Sequence, residues 1–204
     1  ASRSPAAPGP ACEVIWMTYE SVVDFYVDAY SYVSTHGFKD EILWCDRRPP
    51  LEEHDAVTFL WEYVWVVMNA GMREQVARTI YERVGRTHDP NVIGHPGKRS
   101  AVKRAFQEYE SWFAALLAAD DPTTYLETLP WIGPITKYHL ARNLGVDCVK
   151  PDRHLARLAE RFGYGTPDAM CRAIQDELGG RLGTIDAVLW RYCNLRGTGS
   201  ASWH

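Results

Sequence analysis

Asp152, in the run Lys150-Pro151-Asp152-Arg153-His154, is the residue of this chain whose type and neighbours point most directly to chemistry. A carboxylate can act as a general base, and it can stabilise positive charge developing at a carbon that is losing its leaving group. The same carboxylate is expected to cap the helix over 153–162, a role aspartate fills well, so capping is its alternative use. Nineteen residues earlier comes Gly133, at the end of Leu129-Pro130-Trp131-Ile132-Gly133. That run reads as a tight turn between two helices. Pro134 is expected to open the second helix, at the position proline tolerates best. Gly133 is expected to take φ > 0 and to allow close backbone approach. The N–H groups at the start of the new helix would then point outward, which suits a phosphate.

The charge distribution bears on where a polyanion would dock. The net charge is -4, but residues 1–60 carry ten acids against four Lys/Arg, whereas residues 130–162 carry six Lys/Arg against three acids. Local charge decides docking and net charge mainly sets steering, so the second half is the candidate contact face. Lys137, Lys150 and Arg153 are candidate phosphate partners, each with a solvated surface charge as the alternative. His154 is a candidate to contact a phosphate or orient Asp152. Trp131 at the turn is expected to be exposed.

Hairpin, helix and aspartate together resemble the helix-hairpin-helix DNA glycosylase superfamily. Its pattern is Leu-Pro-Gly-(Val/Ile)-Gly, a helix, then an aspartate roughly twenty residues on, commonly in Val-Asp-x-His. Upstream, Val66-Val67-Met68-Asn69-Ala70-Gly71-Met72 matches the place where the family runs an apolar helix into a turn that enters the duplex gap. The resemblance spans about residues 55–195. It implies a two-lobed helical fold that acts on double-stranded DNA with one nucleotide flipped out. His36, His54, His88 and His95 show no ligand spacing, so no catalytic metal is expected, and no cofactor. It also implies that hairpin carbonyls hold a monovalent cation at the phosphate. The implied roles are Asp152 as the catalytic carboxylate, with Trp131, Ile132, Gly133, Pro134, Lys137, Lys150, Arg153 and His154 on the DNA. Asn69, Gly71 and Met72 are candidates for the base gap, with an ordinary helix–helix turn as the alternative. Glu62 and Glu74 are candidates for a second acid. Two departures matter: Trp131 stands where the family has its first hairpin glycine, and Ile135 stands where bifunctional members carry their Schiff-base lysine. Lyase activity by the family's route is therefore not expected. The run around Asp152 also looks like a phage-associated branch linked to thymine hypermodification.

The elements that must position these residues read as helices throughout. Hydrophobic residues make up 46%, enough for a large core. Residues 1–11 are Pro/Ala-rich and read as a flexible tail, with one helical unit over 12–204. Helical periodicity is expected over 13–35, 55–69, 72–84, 100–118, 122–128, 134–144, 152–162, 167–178 and 184–195. Loops are expected over 36–53 and 85–98. No strand alternation and no repeat is found, so the fold class is all-α. The N- and C-terminal helices are expected to form one lobe and roughly 55–150 the other, with the active site in the cleft. Five scattered cysteines without C-x-x-C and no apolar run of membrane-span length point to reduced thiols in a cytoplasm. A monomer is expected, and the resemblance implies a bacterial or phage-infected host.

Three functions fit this reading. One is a monofunctional enzyme that hydrolyses the N-glycosidic bond of a modified or damaged base. The second is a transferase that adds an amino acid or amine to a thymine-derived base in DNA. The third is a non-catalytic DNA-binding module.

Overall fold

Every regular element among the described residues, 19–196 of a computed structural model, is helical. The expected tail over 1–11 lies outside those residues. The all-α class follows from the periodicity of the buried positions. In α1 (Val22–Val33) the buried residues are Val22, Val23, Phe25, Tyr26, Ala29 and Val33, one stripe at helical spacing. Ser21 fixes the start of α1, its Oγ accepting the Asp24 amide at 3.1 Å. The helix expected over 13–35 therefore begins later, and residues 13–18 are outside the description.

The expected loop over 36–53 is in large part helical. A π-helical turn, Ser34–Phe38, with Gly37 at φ +91°, bends the chain into α2 (Lys39–Asp46). Only Ile42 and Cys45 of α2 are buried, too few apolar positions to show a period in the sequence. A short 3-10 turn follows at Leu51–Glu53.

Two units emerge from the internal contacts. One takes Ala1–Asp46 with Pro151–His204, and the other takes Arg47–Lys150. In the first, α10 (Leu182–Leu195) is the central helix, buried along most of its length. It packs on α1, on α2, on α8 (Arg153–Arg161) and on α9 (Pro167–Leu178). Phe25 meets Phe162 and Tyr192 at ring-centroid distances of 5.4 and 5.2 Å. Arg191 of α10 pairs with Glu41 of α2 at 2.7 Å.

In the second unit the central helix is α3 (Ala56–Asn69), which buries Phe59, Leu60, Tyr63, Val64, Val66, Val67 and Met68 on more than one face. Asp55 caps it by accepting the Thr58 amide at 2.6 Å. Around it pack α4 (Glu74–Thr87), α5 (Pro96–Leu117) and α7 (Thr136–Asn143), with α6 (Pro122–Glu127) against α7. The loop expected over 85–98 is shorter than its composition implied. Helix α4 runs on to Thr87 and stops where His88 turns left-handed at φ +51°, and α5 already starts at Pro96. Gly145, just past α7, lies at φ +83° against Pro49, where a Cβ would fall inside the Pro49 carbonyl oxygen. Only glycine fits both that conformation and that approach.

Candidate nucleic-acid interface

The hairpin begins where α6 ends. Asp121 caps α6 through the Thr123 amide at 2.9 Å, and hydrogen bonds from the Thr124 and Thr123 hydroxyls hold its carboxyl down at about 2. The Ile132 amide then donates to the Leu129 carbonyl at 3.1 Å, closing a turn with Pro130 and Trp131 at its centre. Trp131 sits at φ +66°. Proline followed by a left-handed residue is the signature of a type II turn, whose second central position normally needs glycine.

Leu129 and Ile132 flank the turn and are buried in the core, whereas the indole of Trp131 is 41% exposed. The turn is braced from beneath by the Tyr63 hydroxyl, which donates to the Pro130 carbonyl at 2.6 Å. The indole rests on Gly97 in the first turn of α5, where a Cβ would collide with the six-membered ring. It also meets the His95 ring at 4.9 Å. His95 in turn caps α5, its Nδ1 facing the Lys98 amide at 3.4 Å.

Two expectations for the hairpin are corrected. The left-handed residue is Trp131, not Gly133, because the turn is closed one step earlier, between Leu129 and Ile132. Pro134 does not open the helix. The helix starts at Thr136 with Ile135 as its cap, because the Thr136 hydroxyl reaches back to accept the Gly133 amide at 2.7 Å. That amide, the leading candidate for a phosphate, is thus already bonded. Ile135 is 40% exposed. Lys137 is paired with Glu127, lies against the Tyr138 ring at 5.2 Å, and leaves only 14% of its side chain exposed. Of the hairpin carbonyls expected to hold a monovalent cation, those of Leu129 and Pro130 each accept one hydrogen bond, and that of Gly133 accepts the Lys137 amide.

Asp152 is the N-cap of α8, its Oδ1 accepting the His154 amide at 2.9 Å and the Leu155 amide at 3.2 Å. His154 is half-buried and Arg153 exposed. Lys150 is half-buried near His139. Burial pushes the His139 imidazole well below its ordinary value, and the Arg142 and Lys150 cations push the same way.

The Asn69–Met72 turn forms as a break, with Gly71 at φ +67° and the Met72 amide donating to the Asn69 carbonyl at 3.3 Å. Sequence reasoning missed what holds it. Lys98 is 3% exposed, and its ammonium donates to the Met68 and Ala70 carbonyls at 2.8 and 2.7 Å. A cation at the carbonyl end of α3 meets the negative end of the helix dipole. Burial lowers the Lys98 pKa.

Glu62 points into a polar knot: it accepts from Arg48 at 2.7 Å and from the Asn143 side chain at 2.9 Å, while Arg48 also donates to the Asn143 carbonyl. Burial raises the Glu62 pKa, and Arg48 and Asn143 oppose that shift. This network ties the segment before α3 to the end of α7. Glu74 is an exposed partner of Arg78 at 2.9 Å.

Most cations near the hairpin have partners: Lys137 pairs with Glu127, Arg104 with Glu108, and Lys98 and Arg99 donate to backbone carbonyls. Residues 90–107 and 128–146 together hold Lys98, Arg99, Lys103, Arg104, Lys137 and Arg142 and no Asp or Glu. Among the described residues no group of His, Cys, Asp and Glu could hold a metal ion, and no helix is long and apolar enough to cross a membrane. No protein-family model matches the chain, and no curated protein or solved structure is significantly similar to it.

Proposed function

We propose that this protein binds DNA and acts on one flipped, modified or damaged base by hydrolysing its N-glycosidic bond, with Asp152 as the catalytic carboxylate. The observation that carries the reading is the backbone of Trp131. A bulky residue in the left-handed region costs of order 1–3 kcal/mol and persists only where its surroundings over-determine it. Here the turn keeps a conformation suited to glycine at the position where the resembled hairpin has one. Residues held in such conformations cluster at functional sites, which supports a task for this turn.

In this reaction the bond between the sugar's anomeric carbon and the base nitrogen breaks, and the base leaves with the electron pair. The Asp152 carboxylate stabilises the oxocarbenium-like sugar and takes a proton from the attacking water. Its two amide hydrogen bonds hold it in one orientation. Ile135 offers no amine, so no imine to the sugar forms and the strand stays intact. The test is mass spectrometry of released bases and digested nucleosides after incubation with DNAs carrying varied pyrimidine modifications. Free base with an abasic site supports hydrolysis. A heavier nucleoside without free base supports group transfer instead, and binding without product supports a non-catalytic module.

A further inference from the structure

We infer that the hairpin meets DNA by stacking, with the Trp131 indole against the face of an unstacked nucleobase, and not by holding a phosphate on its backbone amides. The inference rests on DNA being the partner and names what the hairpin contacts. The two groups a phosphate would need are engaged already: the Gly133 amide is bonded to the Thr136 hydroxyl, and the Lys137 ammonium is paired with Glu127. What the hairpin presents instead is a ring.

That ring is fixed before any ligand arrives. The buried Leu129 and Ile132 anchor the turn on both sides, Tyr63 holds the Pro130 carbonyl, and Gly97 and His95 seat the indole. A ring with its rotamer already set loses little conformational entropy when a base stacks on it. Stacking tolerates any base because every base has a π face. Of the cations of α5 nearest the ring in sequence, Lys98 and Arg99 donate to backbone carbonyls and Arg104 pairs with Glu108, whereas Lys103 is exposed. A polyanion with aromatic faces gains from the ring and from the exposed Lys103 of α5.

The experiment measures anisotropy of labelled duplexes, one fully paired and one with a central one-nucleotide gap, at several salt concentrations. Full-length wild type, Trp131→Ala, Trp131→Phe, Trp131→Gly and Gly97→Ala are compared, with circular dichroism as the folding control. Trp131→Gly suits the left-handed backbone, so it keeps the turn while removing the ring.

The expected result is that Trp131→Ala and Trp131→Gly each weaken binding to the gapped duplex roughly 5- to 100-fold, the range of one base–aromatic stack. The salt slope stays that of wild type, Trp131→Phe recovers part of the loss, and Gly97→Ala loses part by unseating the ring. Wild-type affinity in a folded Trp131→Gly overturns the inference while leaving DNA as the partner. So does a loss equal on both duplexes with a salt slope lower by about one, which marks a phosphate contact. A wild-type protein that binds neither duplex overturns the DNA reading itself, and the inference with it.

Discussion

Asp152 caps α8 and, on the proposed function, also supplies the catalytic carboxylate; a pair of substitutions separates the two roles. Its Oδ1 accepts the His154 and Leu155 amides, so it caps α8 as well as presenting a carboxylate. In Asp152→Ala both amide hydrogen bonds go. Loss of such a cap costs about 0.5–2 kcal/mol of stability. In Asp152→Asn the side-chain carbonyl can accept the same two amides, and asparagine ranks with aspartate as a cap. What that variant loses is the negative charge at the helix N-terminus, worth about 0.3–1 kcal/mol. Stability should therefore fall in the order wild type, Asn, Ala, with the two variants separated by up to about 1 kcal/mol. Activity should fall with both, by the ~10²–10⁴ expected when a general base is removed. Urea denaturation supplies the first ordering, and released base quantified by mass spectrometry supplies the second. If Asp152→Asn keeps activity within about tenfold of wild type, Asp152 is a cap and nothing more. If activity follows the stability ranking, with Ala far below Asn, then the cap is what matters to the reaction.

Three other outcomes follow from individual residues. Borohydride added during reaction should trap no covalent protein–DNA adduct, because Ile135 has no amine; an adduct that disappears in Lys137→Ala would show that the neighbouring lysine had been given the wrong role. His139 has a folded-state pKa well below that of the unfolded chain, so its stabilising contribution is complete above about pH 6.5 and is lost as pH falls below that value. Denaturant titrations at descending pH should give a slope from this residue of at most about 1.4 kcal/mol per pH unit, and His139→Gln should flatten the curve; an unchanged curve refutes the burial argument. Gly145→Ala should cost at least about 1–2 kcal/mol from its left-handed backbone alone, and more from collision with the Pro49 carbonyl, whereas Gly133→Ala, with only Thr136 Oγ1 at 3.9 Å, should change stability little; near-equal melting temperatures for the two would refute the packing described for residues 47–50.

Helix content was legible because it follows from local pattern. The buried stripe of α1, the apolar run of α3 and the Asp152 cap all rest on residues within a few positions of each other. The π-helical turn and α2 were not legible, because Gly37 looks like a loop residue and α2 buries only two apolar side chains. The hairpin was legible as a turn but not in its register. Which residue goes left-handed depends on whether Leu129 or a later carbonyl closes the turn, and the sequence has glycine only at the later position. Lys98 was out of reach for another reason. A lysine near a helix start reads as a solvated charge, and only the placement of the α3 carbonyl end over it explains its burial.

The left-handed Trp131 is held by several residues distant in sequence and not by the turn alone. Tryptophan at a left-handed position needs external support, and the support comes from distant positions that look unremarkable in sequence. Gly97 must lack a Cβ to let the indole lie down, yet alanine there would otherwise improve the first turn of α5. His95 must both cap α5 and face the ring. Tyr63 must reach the Pro130 carbonyl from the central helix. If the indole can swing off Gly97 at little cost, Gly97→Ala should be stabilising in both backgrounds. If its surroundings hold it there, Gly97→Ala should be destabilising with Trp131 and stabilising with Trp131→Gly. The sign change between the two backgrounds, read from urea denaturation of the four proteins of this cycle, is the physical signature of a seat built for that indole.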